Sequence, residues 1–117
     1  MAYMLLILEE RGDRQARGVE QGRVVYDRML RFAADLRARG LLKGGDALKS
    51  ESERVRVQDR DSKRTLLDGP FSEAKEIVGG YFLVDCKTKQ QAVAIARECP
   101  AAEWATVEVR EIGTCFE

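Results

Sequence analysis

Residues 2–9 read AYMLLILE. In a strand every second side chain faces the same way, so Tyr3, Leu5 and Ile7 share one face and Met4, Leu6 and Leu8 the other. Both sets are apolar, and a strand that is apolar on both sides is covered on both sides. Residues 77–85, IVGGYFLVD, repeat the feature. Their Gly79-Gly80 pair predicts a bulge or a close backbone approach.

Working outward, residues 10–22 are polar and carry Gly12, Gly18 and Gly22, which reads as a loop entering a helix. From about 23 to 39 the pattern is helical, with Val25, Met29, Phe32 and Leu36 on one stripe. Gly40 stands where a helix C-cap needs a left-handed residue. LLKGGDALK is expected to turn through Gly44-Gly45. ERVRVQD alternates Val55 and Val57 with Arg54, Arg56 and Gln58, a half-exposed strand near an edge. The chain turns at Asp59 to Asp61 and runs extended from Arg64 to Leu67. Thr88 opens a second helix with Gln91 three residues on, the spacing of a capping box. That helix buries Ala92, Ile95, Ala96 and Cys99, and Pro100 ends it. Ala105, Val107 and Val109 then alternate with polar residues in a last strand.

This order predicts one α+β domain over 1–117: a ferredoxin-like antiparallel sheet with two helices on one face. Two helices cover only one side. The other apolar face is expected to meet a second copy, sheet on sheet, in a two-fold dimer.

Composition narrows the chemistry. The chain has 117 residues, 20 Lys plus Arg against 20 Asp plus Glu, and no histidine. Zero net charge gives no long-range pull toward nucleic acid or membrane. The arginines crowding the first third, Arg11, Arg14, Arg17 and Arg28 among them, are interleaved with acids and read as a solvated helix face. Without histidine there is no imidazole base, no Ser-His-Asp or Cys-His arrangement, and no His ligand for zinc. Neither a metal nor a cofactor is expected. Cys86, Cys99 and Cys115 lack any CxxC spacing, and no signal peptide or membrane span is evident, so the expected compartment is the cytoplasm. Cys99 and Trp104 read as core or interface residues.

The segment LLDGPFSEAKEIVGGYFLVD, 66–85, holds the candidate site. Turn chemistry accounts for Asp68, Gly69 and Pro70: Asp accepts neighbouring N–H groups, Gly permits positive φ, and Pro fixes φ. Phe71 then plugs the core and Ser72 caps a short helical turn reaching Glu76. The functional reading makes Asp68, Gly69, Pro70, Phe71, Lys75 and Tyr81 a ligand cleft. In it Asp68 or Glu76 is the candidate base, Lys75 the clamp for a small anionic ligand, and Gly79-Gly80 a close backbone approach.

Four stretches carry a resemblance: YMLLI at 3–7, LKGGDAL at 42–48, DGPFSEAKEIVGGYFLVD at 68–85 and ECPAAEWATVEVREI at 98–112. Together they resemble the DGPF branch of the YCII-related proteins. The resemblance implies a ferredoxin-like fold paired into a dimeric α/β barrel, and a largely undefined biochemical role. Some relatives accompany extracytoplasmic-function sigma factors, which implies a regulatory setting with a transcriptional partner. The narrower YCII proteins are suspected of enzymatic activity through a His and the Asp of an Asp-Pro pair. This chain has no His, and Cys99-Pro100 stands where the Asp-Pro would be. Two functions therefore follow from the sequence: a small dimeric binding or regulatory module, or a cofactor-free isomerase- or lyase-like enzyme with a carboxylate base.

Overall fold

The computed structural model describes residues 2–61, 63–68 and 75–116. In chain order its strands and α-helices are β1 (Ala2–Glu10), α1 (Asp13–Ala38), β2 (Leu42–Ala47), β3 (Val55–Arg60), β4 (Lys63–Asp68), β5 (Glu76–Asp85), α2 (Lys89–Glu98) and β6 (Thr106–Glu111). Short 3-10 turns at Glu51–Glu53 and Pro100–Glu103 complete them. The class is α+β, as expected. Four strands form an open antiparallel sheet in the order β2-β5-β1-β6, while β3 and β4 pair only with each other. Among the described residues the strands do not close into a barrel.

The two-sided apolar pattern of β1 explains its place inside the sheet. Tyr3, Leu5, Ile7 and Glu9 are buried, and Ala2, Met4, Leu6 and Leu8 are half-buried. The register sets Tyr3 beside Val84, Leu5 beside Phe82 and Val109, and Ile7 beside Val107. These side chains share one face with Phe32 and Leu36 of α1 and with Ala92, Ile95 and Ala96 of α2, so both helices pack on that face. Phe32 meets the Phe82 ring edge-on, with centroids 5.3 Å apart, a favoured aromatic geometry.

The expected bulge in β5 is present. The register shifts between Ile7 and Leu8, because Ile7 pairs with Gly80 and Leu8 with Val78. Gly79 is left as the extra residue, and the faces of Val78 and Ile77 are set by that insertion.

The helix ends follow the sequence. Thr88 Oγ1 accepts the Gln91 N–H at 3.1 Å, and Gln91 Oε1 accepts the Lys87 N–H at 2.9 Å. At the end of α1, Gly40 adopts φ 73°. Its N–H donates to Arg37 O and the Leu41 N–H to Leu36 O, the two bonds of a Schellman motif.

Four expectations are corrected. α1 starts at Asp13, not near Arg23, and Gly18 at φ 81°, ψ 170° interrupts it. Glycine alone adopts that conformation without strain, so the loop-like composition of 10–22 marks a break inside a helix. Gly44-Gly45 is not a turn but part of β2. A Cβ at Gly45 would lie 2.8 Å from Tyr81 O and 2.9 Å from Phe82 Cδ1, so glycine there admits the close approach of β5. Glu76 opens β5 and is not in a helical turn; Ser72, its expected cap, lies outside the described residues. The strand 55–60 is exposed throughout, not half-exposed, because among the described residues β4 is its sole strand partner.

Candidate functional site

The buried residues of α1, Phe32 and Leu36, both lie in its C-terminal half. The helix upstream stands away from the sheet, and Val19, Tyr26 and Leu30 remain 73%, 51% and 49% exposed. Between this raised part and the sheet is a cavity of about 770 Å³, within the size range of small-molecule sites. Val25, Met29 and Ala33 line it from α1, Ile7, Gly80 and Phe82 from the sheet, and Trp104 from the segment after α2. The walls are thus mostly apolar.

A charged pair interrupts them. Glu9 falls in phase with Tyr3, Leu5 and Ile7, which brings its side chain under α1, where it is only 5% exposed. Arg14 Nε lies 2.6 Å from Glu9 Oε1. That approach compensates the charge but is misaligned, and Oε1 has no hydrogen bond among the described residues. The other guanidinium nitrogens donate to Leu48 O at 2.7 Å and Gly79 O at 3.1 Å. Arg14 therefore ties the start of α1 to β1, β5 and the segment after β2. The pair also explains Gly79, since a Cβ there would lie 2.7 Å from Glu9 Cδ and 3.0 Å from an Arg14 nitrogen.

A second polar feature surrounds Trp104, which is half-buried. The guanidiniums of Arg17 and Arg28 approach its ring at 5.9 Å and 5.4 Å from the centroid, within cation–π range. Arg28 is also bound by both oxygens of Glu103, with the Nη1–Oε1 contact at 3.1 Å. The hydrogen bonds from Arg28 and its charge hold the Glu103 carboxyl below its ordinary range.

The sequence-derived candidates are distributed differently. Tyr81 lines the cavity together with Gly79 and Gly80. It pairs with Leu6 and Asp46, and alternation puts its side chain on the face opposite Phe82, so its backbone is what the cavity meets. Lys75 and Glu76 are exposed. The Lys75 carbonyl accepts the Arg11 N–H at 3.0 Å, and Glu76 stands opposite Glu10. Asp68 ends β4 opposite Val55; its side chain, with Gly69, Pro70 and Phe71, lies outside the described residues. Glu9, Arg14 and Arg17, whose side chains meet the cavity, are not among the candidates that the sequence suggests, which places the arginines on a solvated face. The available signal was Glu9, an acid in phase with three apolar residues on the covered side of β1.

The two buried thiols offer no activated nucleophile. Cys86 and Cys99 are buried and Cys115 is exposed, and burial pushes the Cys99 thiol up to about 11, where the thiolate is scarce at neutral pH. Among the described residues no cluster of three or more His, Cys, Asp or Glu could hold a metal ion, and no helix is long and apolar enough to cross a membrane.

The structure is thus a helix-covered open sheet with an apolar cavity interrupted by a few polar groups. The chain belongs to the YCII-related domain family, whose model matches residues 1–114. It is also similar to an uncharacterized protein of Rhizobium meliloti (strain 1021), 39% identical over 49 residues. That match spans 40% of this chain and 40% of the relative.

Proposed function

We propose that this protein is a small dimeric binding or regulatory module whose ligand occupies the cavity beneath α1. The observation that carries the reading is the cavity itself, of about 770 Å³, bounded by apolar side chains and left unfilled by the described residues. The resemblance to the DGPF branch supports a regulatory setting with a transcriptional partner, and the free thiols support a reducing, cytoplasmic compartment. The strand order β2-β5-β1-β6 supports a ferredoxin-like assignment. Half-buried Met4, Leu6, Leu8 and Leu83 on the uncovered face support pairing of two such sheets into a dimeric α/β barrel.

Within this reading the DGPF segment, Asp68 to Phe71, is a connector, and Lys75 and Tyr81 belong to the stretch it orients toward Gly79-Gly80. Binding ranks ahead of the alternative with Asp68 or Glu76 as base, because Glu76 is exposed and a working base needs desolvation. The test is the fluorescence of Nile red, a neutral apolar dye, with wild type, Val25→Trp and Asp68→Ala. The dye is expected to brighten with wild type and Asp68→Ala but not with Val25→Trp, which fills the cavity. Equal brightening by all three moves the site elsewhere, and loss with Asp68→Ala returns the DGPF segment to the site.

A further inference from the structure

We propose that the cavity takes amphipathic monoanions, with the apolar body beneath α1 and the anionic group at Arg17. This rests on the binding reading above and adds the class of occupant and its anchor. The inference follows from the balance of charge around the cavity. Arg14 and Arg17 are the two arginines that line it and Glu9 and Asp46 the two acids, but Asp46 pairs with Tyr81 and shares its outward face, which turns the Asp46 carboxylate away from the cavity. Arg14 is committed: Glu9 compensates its charge, and two carbonyls take N–H groups from its terminal nitrogens. At Trp104 two guanidiniums meet one ring, and Arg28 is neutralised by Glu103. One positive charge is left over.

That charge is Arg17. It is half-buried, and among the described residues no carboxylate lies within ion-pair distance of it. Its contact with Trp104 is made by the charge and uses none of its five N–H donors. A partly desolvated guanidinium with unspent donors favours an anion, and a carboxylate matches its fork. The compensated Glu9–Arg14 pair at the sheet side offers a second anion no net attraction, which leaves Arg17 as the end that takes the anionic group. The apolar walls between Met29, Ala33 and Phe82 receive the body. Lys75, the anion clamp expected from the sequence, is absent from the described lining of the cavity.

The experiment titrates the full chain with three probes that share one body: phenylbutyrate, phenylbutanol and phenylbutylamine. Phenylbutyrate is expected to bind roughly tenfold tighter than phenylbutanol, the scale of one charge-assisted hydrogen bond, with phenylbutylamine weakest. Arg17→Gln should lower phenylbutyrate affinity to that of the alcohol and leave the alcohol's own affinity unchanged. Val25→Trp should remove binding of all three. The inference is overturned if the alcohol or amine equals the acid with wild type, or if Arg17→Gln keeps the preference. Binding without preference removes only the anionic class. No binding by any probe removes the cavity as a site, and both readings with it.

Discussion

At position 79 the space for a side chain is already taken by Glu9 and Arg14. Gly79→Ala must therefore displace an ion pair that holds α1 over the sheet, and cannot be absorbed by the flexible end of a surface chain. The expected cost is about 1–3 kcal/mol, the range for overpacking a filled site, read as a lower denaturant midpoint at unchanged slope. Ordinary stability in Gly79→Ala would mean that the pair moves freely and does not brace the cavity. Glu9 itself illustrates how a residue evades a reading from sequence. Its period matches the buried face, but as the eighth of nine residues in β1 it also suits an exposed end. Only Arg14, brought back over the sheet by the helix, selects between the two.

The elements were legible wherever local chemistry and burial agree. β1, β5, α2 and the Schellman end of α1 follow from apolar phase, a Thr cap and a glycine. Thr88→Ala tests the cap: loss of the Gln91 bond should destabilise the protein by about 1 kcal/mol, with thermal unfolding as the measurement and Thr88→Ser restoring most of it. The start of α1 was illegible because Gly12, Gly18 and Gly22 lower helix propensity locally, while tertiary ties such as Arg14 to Leu48 and Gly79 keep the turn at 13–17 in place. β2 was misread for a related reason. Gly44-Gly45 carries turn chemistry, but close packing on Phe82 and Tyr81 is a long-range demand that no local window contains. The cavity shares this origin, as it exists where a helix fails to close on the sheet beneath it.

The whole chain is more extended than its length requires. Its radius of gyration is 16.0 Å, against about 13 Å for a chain of this length packed as one compact domain. Part of the excess is the β3–β4 hairpin, which carries Val55 and Val57 at 55% and 64% exposure. The apolar outer face of the sheet raises the question of assembly. Leu6→Arg places a charge at the middle of that face and should convert a dimer to a monomer in light scattering, while circular dichroism retains the α+β signature. A dimer that persists with Leu6→Arg would put the contact elsewhere. The hairpin has one more consequence. Among the described residues its strands bond only to each other, so its Arg60 and Lys63 end takes no part in the four-stranded sheet. A fluorophore or short epitope grafted there would leave the domain's own transitions intact, giving a reporter through which ligand arrival and assembly could be followed separately in one molecule.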